Sequence, residues 1–122
     1  MLGAYFQCVL KVQDVTVDPL TRRVWRDDRE IVFSRKEFDL LHFLMVHAGD
    51  VVSRDDLMLT VWNTTFWTSS KTIDVHLGWV RRKLGDDPSQ PTLITTVRGA
   101  GLRFEGHPPA YGAVMPEQAA AV

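Results

Sequence analysis

Six of the chain's Lys and Arg residues lie between positions 71 and 103: Lys71, Arg81, Arg82, Lys83, Arg98 and Arg103. Three carboxylates share that stretch, giving it a net charge of +3, although the whole 122-residue chain stands at −1. Clustered cations of this kind bind a polyanion, because each one that meets a phosphate releases condensed counterions. Other chemistry is poorly provided for. His42, His47, His76 and His107 have no cysteine or paired carboxylates at metal-ligand spacing. Ser34 and Ser53 stand where helices begin and read as caps rather than nucleophiles. The pairs Asp55-Asp56 and Asp86-Asp87 suit a helix start and a loop. Arg98-Gly99-Ala100-Gly101 is too short for a phosphate-binding loop. An enzyme is therefore not expected, and neither is a metal or a cofactor.

The cations need an element to present them. Lys71 to Gly85 reads KTIDVHLGWVRRKLG. At about 100° per residue, Ile73, Leu77, Val80 and Leu84 fall in one narrow stripe that must be buried. The opposite side carries Lys71, Val75, Gly78, Trp79 and Arg82. His76 and Lys83 flank it on one edge, Asp74 and Arg81 on the other. Such a cationic side is either a solvated face or a surface fitted to the DNA major groove, which admits one helix. Val75 then meets a thymine methyl, and Arg98 and Arg103 reach the backbone or minor groove beside it. An exposed indole favours the binding reading, since a solvated face has no need of one.

The elements around this helix follow from local signals. VLKVQDVTV, RRVWR and EIVF are short β-branched or aromatic runs separated by the turn-prone DPLT and DDR, which predicts an antiparallel meander. Ser34 with Glu37 three residues on, bracketed by Phe33 and Phe38, has the form of a capping box with its staple. Phe38, Leu41, Leu44, Met45 and Ala48 continue at helical spacing, and Gly49 stops them. Ser53, Asp56, Val52 and Leu57 repeat the pattern and predict a short helix over 54–62. Residues 63–70 read as a loop, with Ser70 as cap and Gly85 as stop of the basic helix. TLITTVRGAGLRFE predicts a hairpin bent at its glycines. Residues 1–9 read as a linker and 107–122 as a flexible, Pro- and Ala-rich tail. The single cysteine, Cys8, cannot form an internal disulfide, which fits a reducing cytoplasm. No run of about 18 apolar residues suggests a membrane span, and the N-terminal segment lacks the basic and apolar regions of a signal peptide.

In this order and spacing KEFDLLHFL, VVSRDDL, Val61-Trp62, KTIDVH, VRRKL and TTVRGAGLRF resemble the OmpR/PhoB-type winged-helix domain, the output half of many two-component response regulators. The resemblance spans about residues 12–105, with the domain set at 10–106. It implies an α+β winged helix-turn-helix: a four-stranded antiparallel N-terminal sheet, three helices and a C-terminal β-hairpin wing. It further implies sequence-specific binding of double-stranded promoter DNA at direct repeats, usually as a head-to-tail pair. Helix 71–84 would lie in the major groove and the wing, 92–105, on the adjacent backbone or minor groove. Arg54, Lys71, Val75, His76, Arg81, Thr96 and Arg98 match family contact positions, and Thr72, Trp79 and Arg82 join them on the same surface. The loop Asn63, Thr64, Thr65, Phe66, Trp67 and Thr68 would contact RNA polymerase, with Phe66 and Trp67 either partner anchors or core residues. A receiver domain would precede this chain if it is part of a longer regulator.

Three positions depart from the family pattern. Gly78 and Trp79 stand where many members have polar residues or arginine, and Leu102 where a tyrosine is usual. Arginine reads guanine through two hydrogen bonds; an indole has one donor and favours thymine methyls or sugar edges. The competing reading is a winged helix used for protein–protein contact without DNA.

Overall fold

A computed structural model describes residues 9–63, 71–107 and 110–111. The chain opens as the predicted meander: β1 (Leu10–Val12), β2 (Val15–Asp18), β3 (Arg23–Arg26) and β4 (Arg29–Ile31), each antiparallel to the last. The turn after β2 forms because Asp18 accepts from the Leu20 N–H and the Thr21 hydroxyl. Two residues link β3 to β4, and Asp27 takes the left-handed backbone (φ +54°) that so tight a hairpin demands. Val15, Val17 and Val24 turn inward and are fully buried.

Helix α1 (Arg35–Val46) starts at Ser34, whose hydroxyl accepts from the Glu37 N–H while the Glu37 carboxylate accepts from the Ser34 N–H. Both halves of the capping box are thus formed. A two-residue strand, β5 (Val51–Val52), precedes α2 (Arg54–Thr60), which Ser53 caps through the Asp56 N–H. Helix α2 ends two residues earlier than its sequence suggests: Val61 lies at the C-cap, and its carbonyl accepts from Lys36 of α1. Then come α3 (Lys71–Leu84), β6 (Ile94–Val97) and β7 (Gly101–Phe104). The left-handed backbone at Gly85 (φ +77°) ends α3, as its sequence predicts. The Ser70 cap and residues 64–69 lie outside the described residues.

Two sheets result. β5, β7 and β6 form one, in that order, with the wing hairpin at its free side. The four N-terminal strands form the other, and β8 (Ala110–Tyr111) joins it beside β1. That fifth strand comes from a segment that reads as part of a loose tail. Its pairing with Leu10 and Lys11 is non-local, and two residues carry no periodic signal. Gly101 permits the joint between β7 and β5. Its φ is +148°, and a Cβ there would stand 2.0 Å from the Val52 carbonyl oxygen.

The core lies between the helices and the two sheets. Ile73, Leu77, Val80 and Leu84 of α3 are buried, as the stripe requires, against Leu40, Leu41 and Leu44 of α1 and Ile94, Leu102 and Phe104 of the wing sheet. Burial of each such side chain stabilises the fold by about 1.5–3 kcal/mol. Leu102 is completely buried and makes no polar contact with its side chain, so the hydroxyl that a tyrosine would bring has been replaced by apolar packing.

Candidate nucleic-acid interface

Because its apolar stripe is fixed inward, α3 turns the opposite side to solvent. Lys71, Val75, Gly78, Trp79 and Arg82 are all exposed, with Val75 at 47% and Trp79 at 43%. Thr96 on β6 and Arg98 in the wing turn are exposed nearby. Two open clefts join these parts. One, of about 570 Å³, runs between α3 and the wing and is lined by Arg54, Gly78, Arg81, Arg82 and Thr96 among others. The second, of about 550 Å³, lies between the start of α2 and the wing turn, and Arg54 and Thr96 border it too. The surface is therefore continuous from α2 across α3 to the wing.

Not every expected cation is available on that surface. Arg54 Nη1 donates to the Asp74 carboxylate at 2.7 Å, an ion pair between the first turn of α2 and the first turn of α3. Arg81 turns toward the wing, where Nη2 donates to the Ile94 carbonyl at 2.8 Å and to the Thr96 hydroxyl at 3.2 Å. Burial pulls its pKa below the ordinary guanidinium value, while Asp86 and Asp74 oppose that. Arginine starts so high that the group stays charged at neutral pH. Arg81 therefore holds α3 to the hairpin in this structure. Lys83 is also spent internally, on the buried Glu37 carboxylate. Burial alone would raise the Glu37 pKa; the hydrogen bond from Lys83 and the Ser34 N–H outweigh it and leave it lowered.

His76 has a different task. Its Nδ1 meets the Thr72 carbonyl at 2.8 Å, so that nitrogen carries the proton, since a carbonyl only accepts. The ring stands edge-on between two indoles, 5.2 Å from Trp62 and 5.1 Å from Trp79. Such edge contacts add about 0.5–1.5 kcal/mol each beyond the area they bury. Trp79 is thus seated against a fixed ring. Thr72 is half-buried and contributes its backbone carbonyl. Gly78 has no atom within 4 Å of where a Cβ would stand, so nothing inside the chain requires glycine there. His42 and His47 pack on Phe38 and Phe43, at 5.7 and 4.7 Å. Asn63 is exposed with φ +52°, and the rest of the expected polymerase loop, Thr64 to Thr68, lies outside the described residues.

Several residues that hold the interface in place carry no signal in the sequence. Asp86 reads as a loop acid, yet it is 4% exposed and accepts from the N–H groups of Thr92, Leu93 and Ile94 and from the Thr92 hydroxyl. Burial alone would raise its pKa, but those donors outweigh it and leave the carboxylate below its ordinary value. Arg26 of β3 caps α3 by donating to the Leu84 carbonyl. A cation there also complements the helix dipole. Gln13 donates to the Thr92 and Glu105 carbonyls, at 2.9 and 2.8 Å, and ties the first β-turn to the base of the wing.

Three helices with a hairpin after the third, and the third helix exposed on its cationic side, define a winged helix-turn-helix domain. Residues 28–104 match the family model described as "Transcriptional regulatory protein, C terminal". The chain belongs to that family, the OmpR/PhoB-type DNA-binding effector domains, which are transcription-regulator modules and not enzymes. Among curated relatives, it is 45% identical over 96 residues to the alkaline phosphatase synthesis transcriptional regulatory protein SphR of Synechococcus elongatus, covering 79% of this chain and 37% of that protein. It is 37% identical over 107 residues to the response regulator MprA of Mycolicibacterium vanbaalenii, covering 88% and 46%. The chain thus spans less than half the length of these relatives. Among solved structures, the Klebsiella pneumoniae RstA DNA-binding domain in complex with its RstA box superposes with a TM-score of 0.76 at 31% identity, covering 81% of this chain and 98% of that one. The DNA-binding domain of Escherichia coli CpxR gives 0.71 at 30% identity, covering 80% and 96%. No helix among the described residues is long and apolar enough to cross a membrane.

Proposed function

We propose that this chain binds double-stranded promoter DNA sequence-specifically, as the output domain of a two-component response regulator in the cytoplasm. The outward side of α3 carries the proposal: four apolar residues commit one side to the core and leave Lys71, Val75, Trp79 and Arg82 exposed on the other. Helix 71–84 enters the major groove, Val75 and Trp79 face base edges, and Lys71 and Arg82 meet phosphates. The wing, with Thr96 and Arg98, lies along the neighbouring backbone or minor groove. Arg54 exchanges Asp74 for a phosphate, while Arg81 and His76 position the elements rather than touch DNA themselves. The complex of RstA with its box supports this docking, since that domain shares the fold at 31% identity. Two copies bind direct repeats head to tail, residues 63–68 contact RNA polymerase, and phosphorylation of a receiver domain in the full regulator controls pairing.

A salt titration of the chain on a selected duplex tests the reading. About six phosphate contacts cost about a thousandfold in affinity between about 50 and 200 mM salt. A winged helix that bound only protein partners would retain no duplex at low salt.

A further inference from the structure

Val75 and Trp79 lie one turn apart on the exposed side of α3, and both leave more than two fifths of their surface to solvent. The exposed cations Lys71 and Arg82 stand on the same side, so the apolar strip meets whatever polyanion they draw in. Trp79 is also held in advance. His76 is fixed through its Nδ1 to the Thr72 carbonyl and backs onto Trp62, and the Trp79 indole rests against it. Beside the indole, Gly78 adds no side chain that would fill the cleft toward the wing. The strip is thus preorganised, apolar, and placed between charges suited to a phosphate backbone.

The major groove offers such a strip one apolar partner, the C5-methyl group of thymine. Building on the DNA-binding reading above, we propose that Val75 and Trp79 make this chain a reader of pyrimidine 5-methyl groups. Its sites hold thymine methyls opposite both side chains, and Trp79 sets the preference at its position. His76 acts as a positioning residue that holds the indole edge toward the groove.

The test uses a duplex selected from a random pool by the purified chain, remade with deoxyuridine at each thymidine in turn. Uracil keeps the hydrogen-bonding groups of thymine and lacks only the methyl. Affinity is expected to fall about fourfold at two positions, the effect of leaving one carbon unburied at each. At one of them Trp79→Ala should bind the two duplexes equally, Trp79→Phe should still prefer the methyl, and both should keep the wild-type salt slope because no cation is lost. Methylating a cytosine placed at that position should tighten binding by the wild-type chain and by Trp79→Phe, and not by Trp79→Ala. Deoxyuridine without effect on the wild type, or an undiminished methyl preference in Trp79→Ala, overturns the inference and leaves DNA binding standing. Failure to select any duplex overturns the DNA-binding reading, and this inference with it.

Discussion

Around the C-terminal half of α3, charged groups are used inside the protein: Arg81 on the β6 backbone, Lys83 on Glu37, and Asp86 on the N–H groups at the wing base. On the outward side of the same helix, Lys71 and Arg82 stand exposed with Val75 and Trp79. Arg81 and Arg82 are neighbours in the chain, of one type, separated by only about 100° around the axis. One fixes the angle between helix and wing; the other faces solvent. Residue type therefore does not assign the task. The rotation set by the buried stripe does, together with where β6 happens to lie.

The sharpest way to break this contrast is at the wing base. Asp86→Ala leaves three backbone N–H groups, two of them buried, without their acceptor, and should cost about 3 kcal/mol or more of stability. Urea denaturation would measure it, and a loss below about 1 kcal/mol would mean that Asp86 does not hold the wing. Acid titration probes the same region. The Asp86 and Glu37 pKa values are lowered in the folded chain, so their stabilisation is present above the unfolded values near 4 and disappears as pH falls through the folded ones. Stability should accordingly hold from about pH 7 to 5 and fall below about 4, with a shallower fall in Asp86→Asn.

The two arginines give the next largest effect. Arg81→Ala should lower stability by about 1–2 kcal/mol and leave the salt slope of DNA binding unchanged. Arg82→Ala should leave stability within about 0.5 kcal/mol and reduce the slope by about one. The reverse pattern would exchange their roles. The smallest effect is expected at Gly78: alanine there meets no neighbour and should raise stability by up to about 1 kcal/mol. A Gly78→Ala chain that is more stable yet binds DNA more weakly would show that the glycine makes room for the ligand rather than for the fold.

What could be read from the sequence divides along the same line. Ser34 with Glu37, Ser53 with Asp56, the α3 stripe and the Gly85 stop are signalled within a few residues, and they fold as their spacing predicts. The exposed face of α3 was legible for the same reason. Strands β5 and β8 were not, because each has two residues and exists through a partner elsewhere in the chain. The struts were equally hidden: Gln13 reaches Glu105 across 92 positions, and Arg26 reaches Leu84 across 58. Arg81 sits at the edge of the helical wheel, where periodicity alone leaves its direction open. Only the wing's position turns it inward.

The central claim is that the outer side of α3, and not the N-terminal sheet, meets duplex DNA. Titrating the isotopically labelled chain with a selected duplex and following its backbone amide resonances tests this most directly. The account predicts the largest changes at residues 71–82 and 96–100, with β1 to β4 nearly unmoved. Changes concentrated on β1 to β4, or none along 71–82 on saturation, would contradict it.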